Sequence, residues 1–127
     1  MRLIATAFAA LFLAVLLAGC ASKPKAPVAE MASGEKVVVT QATYNAFINY
    51  KQWLMPKSYT GPVGDGYFAV TKDGHGWGLT GCPDNACDLG TLDKADAIRE
   101  CSNRNGGAPC LVFAPQDKIV VPYEIAQ

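Results

Sequence analysis

One histidine, no Cys-x-x-Cys pair and no excess of either charge set the first limits on this sequence. Its 11 lysines and arginines balance 11 aspartates and glutamates, for a formal net charge of +0. With the charges also dispersed, the basic stripe that nucleic-acid binding requires is missing, which excludes DNA and RNA as partners. The lone histidine, His75, and nearby Asp73 flank a turn, and no serine or cysteine stands beside them as a nucleophile. General-base catalysis needs such a partner, so His75 is expected to be a hairpin residue. Without Cys-x-x-Cys there is no redox thiol pair, and the cysteine gaps are too wide for zinc knuckles. Asp84, Asp88, Asp93 and Asp96 cluster without the calcium-loop pattern. Gly74-His75-Gly76-Trp77-Gly78 does not run from a strand into a helix N-terminus, as a phosphate loop must. No catalytic constellation, metal site or cofactor site emerges, and the chain is expected to act without enzymatic turnover.

What the chain does carry begins at its front. Leu3 to Ala18 contains no charge and follows Arg2, the order of an export signal. A spanning helix needs about 20 apolar residues, so this run is short for one. Leu17-Ala18-Gly19-Cys20 directly behind it resembles the lipobox of bacterial lipoproteins. That resemblance implies a signal peptide over residues 1–19, cleavage between Gly19 and Cys20, and a diacylglycerol thioether on Cys20, so that the first partner is a membrane held through lipid. A single acyl chain holds a protein only marginally, and the two or three chains of a lipoprotein make a durable anchor. Ala21 and Ser22 depart from the aspartate that retains such proteins at the inner membrane. The implied location is the outer membrane of the cell envelope, facing the periplasm or the surface.

Five cysteines is an odd count, which in an exported chain asks for a separate explanation. Assigning Cys20 to lipid leaves Cys82, Cys87, Cys101 and Cys110, an even set suited to an oxidising compartment. Three pairings are open to them. The local pairs Cys82 with Cys87 and Cys101 with Cys110 are favoured, each worth roughly 2 to 3 kcal/mol by loop-closure entropy.

Residues 20–36 lack periodicity and contain Pro24, Pro27 and Gly34, which predicts a lipidated N-terminus followed by a flexible tether. Residues 37–127 then form one small domain. Val37-Val38-Val39 reads as an edge strand or as the lead into a helix. Thr40 is an N-cap for a helix over Gln41 to Trp53, with Ala42, Phe47, Tyr50 and Leu54 on its apolar stripe and Trp53 packed. Tyr67 to Thr71 and His75 to Gly81 form a hairpin around Lys72-Asp73-Gly74. Gly76 and Gly78 leave one face of the return strand bare, which marks a close approach by a backbone or a ligand. Thr91 is the expected N-cap of a second helix, with Leu92, Ala95, Ile98 and Cys101 inward, which stops at Asn105-Gly106-Gly107. Cys110 to Ala114 and Ile119 to Val121 complete a second hairpin. The order α-β-β-α-β-β predicts an α+β fold, an antiparallel sheet of two hairpins with both helices on one face.

The half from Gly66 to Val121 resembles small exported bacterial domains of unknown function, in which a glycine and aromatic hairpin precedes a helix ending in cysteine. The residues carrying this are Trp77, Cys101, Gly107, Pro109 and Cys110, and no activity comes with it. The leading expectation is therefore an interaction or structural module with an envelope protein as partner. The alternative is a peptidoglycan or glycan binder using Tyr67, His75 and Trp77 as a ligand surface.

Overall fold

The computed structural model describes residues 27–55, 61, 63–83 and 92–127. The expectations for Gly19, Cys20, Cys87 and Thr91 lie outside these residues. Seven elements follow in order: β1 (Val37–Val39), α1 (Gln41–Leu54), β2 (Asp65–Thr71), β3 (Trp77–Cys82), α2 (Lys94–Arg104), β4 (Cys110–Pro115) and β5 (Tyr123–Ile125). They make an α+β domain with a three-stranded antiparallel sheet, ordered β3-β2-β4, and a two-stranded parallel sheet of β1 and β5. Among the described residues, no helix is long and apolar enough to cross a membrane.

The helices lie on opposite faces of the three-stranded sheet, not on one. Phe68, Val70, Leu111 and Phe113 face α1 together with β1, while Ala69 and Cys110 face Ala97, Ile98 and Cys101 of α2. Successive strand residues point to opposite faces, so the unbroken apolar runs Phe68-Ala69-Val70 and Cys110-Leu111-Val112-Phe113 supply both sides at once. The face toward α1 is aromatic: Phe47 meets Phe68 and Phe113 edge-on at 5.6 and 5.5 Å between ring centroids. The α2 face is built from small residues. Gly78 is bare there because a Cβ would stand 2.2 Å from the Cys101 amide nitrogen, so the close approach expected at the strand glycines is that of α2.

The second hairpin does not form. Beyond β4 the chain turns through Gln116, at φ 51°, and Val120 donates its N–H to the Phe113 carbonyl. No strand develops at Ile119 to Val121; Tyr123–Ile125 pairs parallel with β1 instead. Part of the β4 edge that such a strand would need is already taken. The Cys110 N–H donates to the Pro27 carbonyl at 3.1 Å, and the Ala29 N–H donates to the Cys110 carbonyl at 2.8 Å. Residues 27–36, expected to belong to the tether, thus lie along the domain, with Ala29 8% exposed and Glu35 paired to Lys72.

Local rules set the helix boundaries. The Thr40 side chain accepts from the Thr43 N–H at 3.1 Å, as expected of the N-cap. Thr43 rather than Ala42 joins Phe47, Tyr50 and Leu54 on the buried stripe. Asp93, rather than Thr91, caps α2 and forms a capping box with Asp96, because its carboxylate and that of Asp96 satisfy the free N–H groups of the first turn. The box sets the helical phase: Ala97, Ile98, Cys101 and Ser102 face inward, and Ala95, expected inside, is exposed. Gly106 and Gly107 follow the helix with φ of 67° and 84°, the left-handed stop that the sequence signals.

Cys101 and Cys110 form a disulfide, and both are fully buried. It ties the end of α2 to the start of β4, as the sequence predicts, and bonds of this kind persist in oxidising compartments. Cys82 is also disulfide-bonded and fully buried; its expected partner, Cys87, lies outside the described residues. Replacing Cys101 and Cys110 together by alanine is expected to lower unfolding free energy by about 2 to 3 kcal/mol in urea titration. An unchanged midpoint would mean that the bond adds nothing to the folded state.

Candidate functional site

The hairpin turn organises the end of the sheet where His75 sits. The Thr71 hydroxyl donates to the Asp73 carboxylate at 2.6 Å and accepts from the Gly76 N–H at 2.9 Å. The His75 N–H donates to the same carboxylate oxygen at 3.0 Å. These bonds, from Thr71 first and then His75, hold the Asp73 carboxyl below its ordinary value. Stabilisation from a depressed carboxyl is complete above its unfolded value of about 3.9 and is lost as pH falls through the folded value. Protection of the His75 amide from exchange, taken relative to its intrinsic rate, is therefore expected to fall below about pH 4, and Asp73→Asn should abolish that step. Gly74 docks the turn on β1, accepting from the Thr40 N–H at 3.1 Å. His75 itself is exposed and lies before β3.

The three residues expected to share a ligand surface do not share one. Trp77 pairs with Val70 and Tyr67 with Thr80 in the β2–β3 register, which puts their side chains on opposite faces of the sheet. Trp77 packs with the α1-side core and Tyr67 with the α2-side core. Tyr67 instead borders a polar cavity of about 330 Å³ with Asp65, Gly66, Leu92, Pro115 and Gln116. The Asp65 carboxylate there accepts from the Gln116 amide at 3.1 Å.

Trp77 has a different companion. Between α1 and β3 runs a groove of about 250 Å³ lined by Ala46, Asn49, Tyr50, Trp53, Trp77 and Leu79. Trp53, expected to be packed, is 42% exposed. Its ring lies over Gly81, where a Cβ would come within 2.5 Å of it. Beside it, the Tyr50 hydroxyl reaches Gly66, the partner of Gly81 across the hairpin. This glycine pair lets the end of α1 settle onto the strands and tilts Trp53 to the groove's rim. The Tyr50 hydroxyl is buried with no hydrogen-bond partner among the described residues, and burial, followed by the charge of Asp117, pushes its pKa up.

The Trp77 wall is held from two sides. Phe68 stacks on it at 5.6 Å with planes 13° apart, and the Arg104 guanidinium lies over the ring at 4.4 Å. The Asn105 amide donates to the Trp77 carbonyl at 3.3 Å and to the Cys101 carbonyl at 2.7 Å, fixing the end of α2 against the start of β3. Trp77 so held is partly buried, whereas Trp53 is exposed. Among the described residues the lining is therefore largely apolar, its polar side-chain groups being the Asn49 amide, the Tyr50 hydroxyl and the two indole N–H donors. Sequence reading missed this site because Trp53 lies one position before the buried Leu54. The available signal was the outward row Asn45, Asn49 and Trp53 at helical spacing.

Comparison with protein-family models, with curated proteins and with solved structures finds no match for this chain. The functional reading rests on the residues themselves.

Proposed function

We propose that the protein is a lipid-anchored lipoprotein of the bacterial cell envelope, held at the outer membrane through Cys20. Its domain acts as a non-enzymatic module that docks an envelope protein. The observation that carries the docking role is the α1–β3 groove, where both tryptophans of the chain line one apolar depression. At about 250 Å³ it lies below the roughly 300 to 1,000 Å³ of small-ligand pockets, and it suits a side chain of a partner. A sugar ring would ask for several hydrogen-bond acceptors as well as donors beside an aromatic platform, and among the described lining residues only the Asn49 amide and the Tyr50 hydroxyl have side chains that accept. The aromatic set first expected to bind glycan is divided between two faces of the sheet. An exported position agrees with the buried Cys101–Cys110 disulfide.

The anchor and the groove are tested separately. Cys20→Ser should abolish lipid labelling and release the protein from membranes; normal labelling and retention would overturn the anchor. A photo-crosslinker at Asn49 in the full-length protein, in intact cells, should trap a protein that the same crosslinker at Lys118 does not. Co-sedimentation with purified peptidoglycan that is lost in Trp53→Ala would replace the protein-docking role with the glycan one.

A further inference from the structure

Arg104 does not itself line the groove but packs on Trp77, one of the residues that do. Its guanidinium lies over the indole, and among the described residues it forms no ion pair, although Glu100 stands one helical turn before it. The opposite wall offers it none. The sequence of α1, QATYNAFINYKQWL, contains no acidic residue. Its outward positions Gln41, Asn45, Asn49 and Gln52 are exposed amides, and its one charge, Lys51, lies over the Phe47 ring. The groove is thus an apolar slot with a cation packed on one of its wall residues, Trp77, and no anion along α1. A guanidinium stacked on an aromatic face still offers its in-plane N–H donors, the geometry that takes a carboxylate in two parallel bonds.

We propose that the groove selects a peptide segment in which a large apolar side chain stands next to an aspartate or glutamate. The apolar group fills the space between Trp53, Trp77 and Leu79, and the carboxylate pairs with Arg104. This inference rests on the protein-docking reading and adds the charge of the partner to it. Indole cover removes water from one side of the cation, so the pair forms at lower desolvation cost than at a bare arginine. Affinity falls as salt rises, because the outer side of the pair stays in water.

The test uses the full-length lipidated protein in detergent, panned against a random displayed heptapeptide library. Selected sequences should place Asp or Glu within two residues of Trp, Phe, Leu or Met. Synthetic copies should change the intrinsic fluorescence, since both emitters line the groove. Trp53→Ala should abolish binding. Arg104→Glu should weaken acidic peptides by about fivefold to tenfold and turn selection toward Lys and Arg. Arg104→Gln, which keeps a planar polar head, should weaken acidic peptides without selecting basic ones. Far-UV circular dichroism checks that each variant is folded. Peptides that need Trp53 but are indifferent to Arg104→Glu would overturn the acidic-partner inference while leaving groove docking in place. No selected peptide, or only peptides insensitive to Trp53→Ala, would overturn both. Concentration-dependent dimerisation lost in Trp53→Ala would make a second copy the occupant and overturn the acidic-peptide proposal.

Discussion

Gly78→Ala is expected to destabilise the domain by at least about 3 kcal/mol, the upper end of overpacking costs. The added methyl would stand 2.2 Å from the Cys101 nitrogen and 2.4 Å from its Cα. Both obstacles are backbone, so no side chain can rotate aside. The helix cannot easily withdraw either, because Cys101 is bonded to Cys110 and Asn105 bonds the Trp77 carbonyl. A net stability of about 5 to 15 kcal/mol is usual for a domain, so a loss of this size is readable as a large fall in the urea midpoint. Gly106→Ala is the control. Its φ is +67° and nothing lies within 4 Å of the added Cβ, so it loses only the left-handed preference, about 1 kcal/mol. Equal midpoints for the two variants would show that α2 does not need the bare face of β3.

Phe47→Ala is expected to cost about 3 to 5 kcal/mol, as truncation of a buried phenylalanine does. Phe47 is 2% exposed and sits among Tyr44, Tyr50, Phe68 and Phe113, all with ring centroids within 6.2 Å of its own. Removing it opens a void bordered by rings that cannot all collapse inward, because two of them belong to the sheet. Trp53→Ala, on the same helix, deletes a larger side chain but one that is 42% exposed. Its stability cost should be clearly smaller, while any loss of partner binding should be larger. Urea unfolding and peptide binding measured on both variants would separate the core side of α1 from its recognition side. If Trp53→Ala proves the more destabilising, Trp53 belongs to the core, as its helical position first suggests.

Much of the local structure was legible residue by residue. Thr40 as an N-cap, the helix it starts, the hairpin around Asp73-Gly74 and the stop at Gly106-Gly107 follow from hydrogen-bond and backbone rules acting within a few residues. The Cys101–Cys110 pairing was legible because the two cysteines flank a short connection between a helix and a strand. The continuous apolar runs in β2 and β4 also held the clue that the sheet is covered on both faces. Reading them as halves of simple hairpins put both helices on one side. The α2 phase was missed because a capping box at Asp93 and Asp96 outweighed the apolar stripe drawn through Leu92 and Ala95.

The candidate site was less legible, since it joins residues from two elements by contact rather than by spacing. Trp53 and Trp77 are 24 positions apart in sequence, and only the seating of α1 on the glycine pair Gly66 and Gly81 brings them to one groove. The sequence by itself determined the apolar run that ends at Cys20, the number and spacing of the cysteines, the start of α1 at Thr40 and the stop of α2 at Gly106-Gly107, because these depend on near neighbours. The tertiary structure decided which sheet edge was already filled, on which face each helix lay and which tryptophan was displayed. Those outcomes depend on competition between distant segments: Pro27–Ala29 takes part of the β4 edge, and β5 pairs beside β1 instead.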